Sequence, residues 1–304
     1  MPYSHLVFTL PHTLNALAQG NARLLYALLF KSVSATLIDF GANPRWLGGE
    51  IAATLILHTW GQTLAQHLHL HALVAAGALG NGGEWMRSPR GFLFPVKALS
   101  AVFRGKFLES LKQAFERARL SFEGSTSLLS EHPAQERFLS RLRENDWVVY
   151  AKRPFGGPEQ VLDYLGRYTH RVAISNHRIV DANDGQVRFR YRDYAHGNRR
   201  KTMRLEAGEF IRRFCLHVLP QGFMRIRHYG LIANRSKRLQ LAQARIALDR
   251  PAAAQRPEPE SAEAFWLRVA NRDIHQCAHC RAGRMITIAA LAPSERKTPR
   301  ARPP

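Results

Sequence analysis

The sequence predicts an α+β fold in which an antiparallel sheet is flanked by helices. The first observation is a pair of apolar, strand-like segments at 50–60 and 68–79, which a short loop would join side by side. The second is the helical spacing of apolar residues over 12–41 and 94–120. We therefore expect strands and long amphipathic helices to share one core.

The shorter elements are predicted from turn, stop and start signals. Pro11 stops the first strand, the Asn-Gly-Gly and Asn-Asp-Gly sequences at 81–83 and 183–185 are turns, and Pro158 suits a helix start. In chain order, the other predictions are strands at 3–10 and 147–155, a helix at 158–170, strands at 171–180 and 186–194, and a helix at 209–218. A loop rich in Ser and Gly is expected before residue 147.

Composition divides the chain into a main domain, a linker and a short appendage. Residues 1–245 carry most of the predicted elements, and the linker at 246–264 contains the run RPAAAQRPEPESAE. We expect residues 265–304 to form a C-terminal appendage that ends in a basic, disordered tail.

The strongly positive charge indicates a polyanionic partner. The formal net charge is +21 and the pI is about 10.9. Residues 187–238 contain 14 Lys or Arg and 3 acidic residues, and the run RFRYRDY alternates arginine with aromatic residues. A strand of that pattern would have one apolar face and one cationic face, suited to phosphates and stacked bases.

Two other interpretations of the charge remain open. One is a basic face that only keeps the protein in solution, and the other is a membrane surface, although the charges do not lie on an amphipathic helix. Under the nucleic-acid interpretation, the residues expected to contact it are Arg167, Arg171, Arg188, Arg190, Arg192, Arg199, Arg200, Lys201, Arg225 and Arg227.

Cysteine content and hydropathy favour a cytoplasmic protein with no membrane partner. Three cysteines provide no disulfide framework, which is typical of a reducing compartment. The longest apolar runs are well below the roughly 18 residues that span a bilayer. The N-terminus lacks a basic leader followed by an apolar core, so we expect no secretion signal.

Histidines crowd the segment HTWGQTLAQHLHLHALV at 58–74. On a strand, His69 and His71 share a face, and His58 ends the neighbouring strand, so three imidazoles could bind one divalent ion. Gln62 and His67 are the alternatives to His58 as the third ligand, with His67 expected to be expendable.

The type of site also has alternatives. The simplest alternative is a pair of surface histidines on an edge strand, with no bound metal. A structural zinc site would need four closed ligands that usually include cysteine, and no cysteine is nearby in sequence. Three histidines leave coordination positions open, and on a basic protein this favours phosphodiester chemistry at a divalent ion.

Two tyrosines lie one helical turn apart in DYLGRYTHR at 163–171. Tyr164 and Tyr168 would share one face of a helix, and a tyrosine hydroxyl can attack phosphorus and hold a covalent phosphate. Arg167 and Arg171 beside them could bind phosphate oxygens. Taken alone, this spacing is more often core packing, but beside the histidines and the charge it favours catalysis.

The histidine and tyrosine motifs together resemble the two-tyrosine HUH nucleases. Their signature is His-hydrophobic-His, here at 69–71, followed by Tyr-x-x-x-Tyr, here at 164–168. The longer phrases FTLPHTLNALAQGN, YLGRYTHRVAISN and FIRRFCLHVLPQGFMRIRHYGLIAN look like the transposases of rolling-circle insertion sequences. The resemblance covers about residues 2–240.

This resemblance implies a fold, a cofactor and a reaction. The fold is an HUH-type antiparallel sheet, with His69 and His71 on a central strand and a helix bearing Tyr164 and Tyr168 facing them. The cofactor is Mg²⁺ or Mn²⁺, and the partner is single-stranded DNA at insertion-sequence ends. Tyrosine attack would leave a 5′-phosphotyrosine link and a free 3′-OH, and two tyrosines would allow two successive strand transfers.

The sequence departs from the family pattern in three places. Leu68 replaces the usual proline of the histidine run, which should not remove a ligand. The cysteine-rich zinc module that normally precedes YSHLVFTLPH is missing ahead of that phrase, so we expect a truncated chain with impaired DNA-end recognition. Cys277 and Cys280 form a lone CxxC, which is half a zinc site, a remnant, or a site shared between molecules.

Two further functions fit the same residues. One is a DNA-binding remnant that no longer nicks DNA, and binding without nicking would favour it. The other is a replication initiator or relaxase that uses the same site chemistry, and a plasmid origin beside the gene would favour it.

Overall fold

The computed structural model of the protein describes most of the chain. The chain divides into two compact units, Met1–Pro251 and Ala252–Pro304. The described residues are 2–88, 93–155, 173–250, 260–271, 273–277, 279–286, 288 and 289. The helix predicted at 158–170 and the tail predicted to be disordered lie outside these ranges. The main domain was predicted to end at residue 245, a few residues before the first unit ends at Pro251.

A six-stranded antiparallel sheet, the large sheet, organises the first unit. Its strands are β1 Tyr3–Thr9, β2 Gly49–Trp60, β3 Gln66–Gly80, β4 Trp85–Arg87, β5 Val149–Phe155 and β9 Ile226–Gly230. Their order is β5-β1-β3-β2-β9, with β4 paired to the end of β3. Strand β3 is central, since it pairs with β1 on one side and β2 on the other, as expected for a central histidine-bearing strand.

A second, three-stranded antiparallel sheet, the small sheet, follows in the same unit. It consists of β6 Ile179–Asn183, β7 Gln186–Asp193 and β8 Arg199–Glu206 in that order. The predicted Asn-Asp-Gly hairpin joins β6 to β7, and its Asp184 and Gly185 both have positive φ, at 52° and 71°. This is the backbone that a two-residue hairpin turn requires.

Seven helices lie in the described residues. They are α1 Asn15–Gly20, α2 Ala22–Ala42, α3 Val96–Glu116, α4 His132–Glu144, α5 Ala207–Cys215, α6 Lys237–Ala247 and α7 Ala262–Ala270. Mixed helices and antiparallel sheet confirm the predicted α+β class.

The main core lies on one face of the large sheet. On β3, Leu68, Leu70 and Ala72 are buried with Phe30 of α2 and Phe103 of α3 in one apolar cluster. Side chains alternate along a strand, so the residues between them face the opposite side of the sheet. The histidines of β3 therefore occupy the face that α2 and α3 do not cover.

Helix α2 is long and apolar enough by composition to cross a membrane. However, 67% of its most apolar stretch is buried inside the protein. Leu25, Leu29 and Phe30 of this helix have no exposed surface. Core packing therefore accounts for its hydropathy.

The helix predicted over 12–41 is broken at Asn21. Asn21 Nδ2 donates to the carbonyl oxygens of Leu17 and Ser121, and the backbone N–H of Ser121 donates to Asn21 Oδ1 at 2.8 Å. The chain gains the two hydrogen bonds with Ser121, 100 residues away, in place of a continuous helix. Tertiary contacts therefore override the local helical pattern.

Two predictions were wrong. Helix α4 replaces the expected Ser- and Gly-rich loop, because Phe138, Leu139 and Leu142 lie on one helical face that packs into the core. The strand predicted at 171–180 begins only at Ile179. Among the described residues before it, 176–178 form a 3₁₀ turn closed by Arg178 N–H donating to Ser175 O at 2.9 Å.

Gly230 ends β9 in a conformation that no other residue fits. Its φ is +62°, and a Cβ there would lie 1.8 Å from Ile51 O, which accepts the N–H of Leu231. We expect Gly230→Ala to lower the free energy of unfolding by about 2–4 kcal/mol, because backbone strain and overlap with β2 add together. Urea denaturation followed by circular dichroism measures this change.

The matched control is Gly105→Ala in α3. Gly105 is exposed and a Cβ there meets nothing within 4 Å, so alanine should raise the free energy of unfolding by about 0.5–1 kcal/mol. Equal stability of Gly230→Ala and the wild type would contradict the close approach of β9 to β2.

Candidate metal centre and nucleic-acid interface

Strand pairing brings three histidines together on the large sheet. In the antiparallel register of β2 and β3, His58 lies directly opposite His69, and His71 follows two residues further along β3. All three therefore lie on the face away from α2 and α3. They are 2%, 8% and 8% exposed, respectively, so they are core rather than surface residues.

The ring nitrogens of these histidines converge on a common point. One nitrogen from each of His58, His69 and His71 lies within 4.8 Å of the others. The Nε2 atoms of His69 and His71 are 3.1 Å apart, and the ring centroids of His58 and His71 are separated by 4.2 Å. This is the only such group of potential ligands found among the described residues.

Hydrogen bonds orient two of the three rings. His69 Nδ1 donates to the carbonyl oxygen of His67 at 2.8 Å, since a carbonyl can only accept. That proton on Nδ1 leaves the lone pair of His69 Nε2 directed at the cluster. His71 Nδ1 lies 2.8 Å from Nε2 of the fully buried His5 on β1, and their rings stack at 5.1 Å. Metal-binding imidazoles are commonly held through the second nitrogen in this way.

Burial keeps His58 and His69 uncharged. It lowers the pKa of His58 well below its ordinary value, and the neighbouring His69, Arg225 and His5 lower it further. Burial, with a smaller effect of His67, lowers the pKa of His69 to about 3. A neutral imidazole is the form that binds a cation, so at pH 7 His58 and His69 need not lose a proton first.

The two alternative third ligands lie elsewhere. His67 Nδ1 is 3.0 Å from His12 Nε2 at the edge of the sheet, and burial followed by the proximity of His12 lowers its pKa. Gln62 is directed to the small sheet, where its Oε1 accepts the N–H of Arg192 at 3.2 Å. The structure thus brings His58 to His69 and His71, and leaves His67 to contribute only its carbonyl oxygen.

Trp60 connects the histidine cluster to its surroundings. Its ring stacks on His58 with a centroid distance of 4.8 Å and an interplanar angle of 16°. The guanidinium of Arg225 also lies over the Trp60 ring, 4.9 Å from its centroid, and donates from Nε to Leu57 O at 3.1 Å. One side of the cluster is therefore an ordered aromatic and cationic layer.

The loop at 61–65, between β2 and β3, is held by residues that follow the small sheet. Arg213 of α5 donates to Thr63 O at 3.1 Å, and the buried His217 donates from Nε2 to Leu64 O at 3.1 Å. Leu64 itself has no exposed surface and packs with Phe189 of β7. The small sheet is thereby anchored beside the end of the histidine-bearing hairpin.

One face of the small sheet is cationic, as the alternation of its sequence predicts. Arg188, Arg190 and Arg192 of β7 are exposed, whereas Val187 and Phe189 between them are buried. On β8, Arg204 pairs with Arg188 and Arg200 with Arg192 across the ladder. We call these five exposed arginines the cationic face.

The other predicted nucleic-acid residues fall into three groups. Lys201 forms an ion pair with Asp193 at 2.7 Å, and this hydrogen bond, aided by His196, lowers the pKa of Asp193 to about 2. Arg225 and Arg227 are half-buried on aromatic rings, since Arg227 lies 4.3 Å from the centroid of Phe30. Arg199 is exposed on β8 and pairs with Asp193 across the ladder.

Both candidate nucleophiles and two candidate phosphate ligands have no described position. Tyr164 and Tyr168, with Arg167 and Arg171, lie outside the described residues. Their proposed roles therefore stay predictions.

In the second unit, Cys277 and Cys280 are free thiols within a tight turn. Cys277 N–H donates to Gly283 O at 2.8 Å, and Gly283 N–H donates to Cys280 Sγ at 3.3 Å. Hydrogen bonds from Gly283, Ala282 and Cys277 lower the pKa of Cys280. Among the described residues, no third ligand joins them into a metal-binding group.

Sequence reasoning missed three residues that shape the site. His5, Trp60 and Arg178 touch the cluster or the small sheet, yet none belongs to a recognisable motif. The alternation in YSHLVF shows that His5 is opposite in face to Leu6 and Phe8, but not which strand lies beside it. Only the pairing of β1 with β3 brings His5 to His71, 66 residues away in sequence.

A family model and two known proteins that are similar to this chain are described as transposases. A family model, Y2_Tnp, described as "Putative transposase", matches residues 52–239. The chain is 48% identical over 289 residues to "Putative transposase y4qJ" of Sinorhizobium fredii (strain NBRC 101917 / NGR234), covering 94% of this chain and 73% of that protein. It is 29% identical over 304 residues to "Transposase for insertion sequence element IS801" of Pseudomonas savastanoi pv. phaseolicola, covering 96% and 68%.

The family match spans more than half of the chain, from within β2 to the first residues of α6, and β1 of the large sheet lies before it. It contains His58, His69 and His71 as well as the cationic face, whereas His5 lies before it. The chain belongs to the Y2_Tnp family of transposases.

Proposed function

We propose that this transposase nicks and rejoins single-stranded DNA at insertion-sequence ends, with Tyr164 and Tyr168 forming 5′-phosphotyrosine bonds. The observation that carries the proposal is the convergence of His58, His69 and His71 beside an anchored cationic face. The name of the relative from Pseudomonas savastanoi, a transposase for an insertion sequence element, supports the choice of DNA ends. The three free cysteines support a reducing, cytoplasmic setting.

The histidine cluster has the donor set for a divalent cation. His58, His69 and His71 would hold the ion through ring nitrogens, because these three converge and at least His58 and His69 are uncharged at pH 7. Of the two expected ions, Mn²⁺ suits imidazole donors better than Mg²⁺, which prefers oxygen ligands. A bound divalent ion supplies Lewis-acid polarisation of the scissile phosphate.

The covalent step follows from hydroxyl chemistry. The Oη of one tyrosine attacks phosphorus, a Tyr–O–P bond to the 5′ side forms, and the bond between phosphorus and the 3′ oxygen breaks. The tyrosine gives up its proton, and the departing 3′ oxygen takes one up as a free 3′-OH. A second tyrosine allows a second transfer, so energy is conserved in the phosphodiester bonds throughout.

The cationic face would guide the strand to this site. Arg190, Arg192 and Arg200 are exposed on one side of the small sheet, and Gln62 ties that sheet to the end of the hairpin that carries His58. Guanidinium groups bind phosphate oxygens in a bidentate manner. Their contribution is electrostatic, so binding should weaken as salt concentration rises.

Removing one cluster histidine should abolish metal binding. We expect His69→Ala to lose measurable binding of Mn²⁺, followed by isothermal titration calorimetry or by the electron paramagnetic resonance signal of free Mn²⁺. His67→Ala is the matched control, because its backbone carbonyl still accepts from residue 69 and its ring lies outside the cluster. Equal Mn²⁺ affinity in His69→Ala and the wild type would contradict the proposed ligands.

His5 should tune metal affinity without touching the ion. We expect His5→Leu to lower Mn²⁺ affinity by about 10- to 100-fold, because His71 loses the partner that orients its ring. In His5→Gln, an amide oxygen can still accept from His71 Nδ1, so affinity should be largely restored. If His5→Leu and His5→Gln both bind Mn²⁺ as tightly as the wild type, His5 is only a packing residue.

Tyrosine chemistry has a direct test. We expect the double variant Tyr164→Phe, Tyr168→Phe to form no covalent adduct with a labelled single strand carrying an insertion-sequence end, as measured by denaturing gel electrophoresis. Its DNA affinity should be unchanged, because phenylalanine keeps the ring. An undiminished adduct would exclude these nucleophiles, and wild-type binding without nicking would favour a DNA-binding remnant.

A further inference from the structure

A cleft lies between the end of the histidine-bearing hairpin and the small sheet. Its volume is about 430 Å³, within the roughly 300–1,000 Å³ that small-molecule sites occupy. It combines aromatic rings with guanidinium groups, and the residues that define its chemistry are Trp60, Arg178, Arg190, Arg192, Tyr194 and Arg200. We call it the nucleotide cleft.

The cleft has more positive charge than the protein neutralises. Arg192 and Arg200 lie directly opposite each other on neighbouring strands, an arrangement that like charges disfavour. In the part of the chain that the structure describes, no carboxylate oxygen lies within 4.0 Å of the guanidinium nitrogens of Arg190, Arg192 or Arg200. Arg188, on the same face but outside the cleft, does pair with Asp181. An anion in the cleft would relieve the repulsion.

Hydrogen bonds hold the cleft in shape. Arg178 donates to Gln62 O at 2.5 Å and to Arg190 O at 2.8 Å, and its guanidinium lies 5.9 Å from the centroid of Phe189. The backbone N–H of Arg192 donates to Gln62 Oε1. These contacts join the two sheets at the cleft, so a ligand would meet preformed walls and lose little free energy in ordering them.

Aromatic residues give the cleft a second kind of recognition. Tyr194 is 66% exposed, although a tyrosine ring is largely apolar. Trp60 lines the same cleft while it stacks on His58, so the cleft and the histidine cluster share a wall. A planar base on the aromatic groups and a phosphate on the guanidinium groups would match this lining.

We propose that the nucleotide cleft holds one unpaired nucleotide of the DNA strand, next to the phosphate presented to the histidine cluster. The base stacks on Tyr194, and its phosphate lies between Arg192 and Arg200. This inference rests on the proposed function for its strand, but it concerns recognition rather than nicking. A base inside a duplex is already stacked and paired, so the cleft selects single strands.

The experiment compares two fluorescent probes of about ten nucleotides, a length that single-strand sites commonly cover. One probe is oligothymidine, and the other has the same backbone with no bases. Affinities are measured by fluorescence anisotropy without divalent ions, in the Tyr164→Phe, Tyr168→Phe chain. We expect this chain to favour the thymidine probe roughly 5- to 140-fold, the range that stacking of one base gives.

Tyr194→Ala should bring this preference close to one, and Tyr194→Phe should retain it. Tyr150→Ala is the matched control, because Tyr150 is 55% exposed on β5 and does not line the cleft. Arg192→Ala combined with Arg200→Ala should weaken both probes and leave the preference unchanged. Circular dichroism verifies that each variant is folded.

Two results would overturn the proposal. One is a thymidine preference that survives Tyr194→Ala, and the other is no preference in the starting chain. A duplex that competes as well as the thymidine probe would exclude selection of single strands. Because nicking is disabled throughout, a failure of the tyrosine mechanism would leave these results unaffected and show separately in the adduct assay.

Discussion

The antiparallel register between β2 and β3 controls the rest of this molecule. It sets His58 opposite His69 and puts Leu57 opposite Leu70 on the core side. A slip of one residue would exchange the two faces, which would place imidazoles among the phenylalanines of the main core. Burial of the leucine face therefore specifies the position of the histidine face. The candidate metal site depends on hydrophobic packing that it does not itself touch.

The same hairpin also connects the two sheets. Its loop at 61–65 accepts hydrogen bonds from Arg213 and His217, and Leu64 fills the small core under β7. The arginines of the small sheet are thus placed at a defined distance from the histidines, rather than on an independent module. A basic surface becomes a directed interface when such contacts remove its freedom to move.

Neutral histidines and positively charged arginines lie close together without conflict. Burial lowers the pKa of His58 and His69, so these two imidazoles add no positive charge to a chain that already has a formal net charge of +21. Trp60 stacks on His58 and also lines the cleft that the arginines line. The site can therefore receive both a cation and a polyanionic strand, each at its own group of ligands.

The sequence by itself determined the α+β class, the face shared by His69 and His71, the cationic alternation of β7 and the family resemblance, because these depend on residues close in the chain. It missed the break at Asn21 in the helical segment 12–41 and mispredicted 132–144 and 171–180, where tertiary contacts outweigh local pattern. Only the tertiary structure brought His5 to His71 and placed Gln62 and Trp60 against the small sheet. Those contacts join segments far apart in sequence, and strand register, which no local periodicity encodes, decides which of them meet.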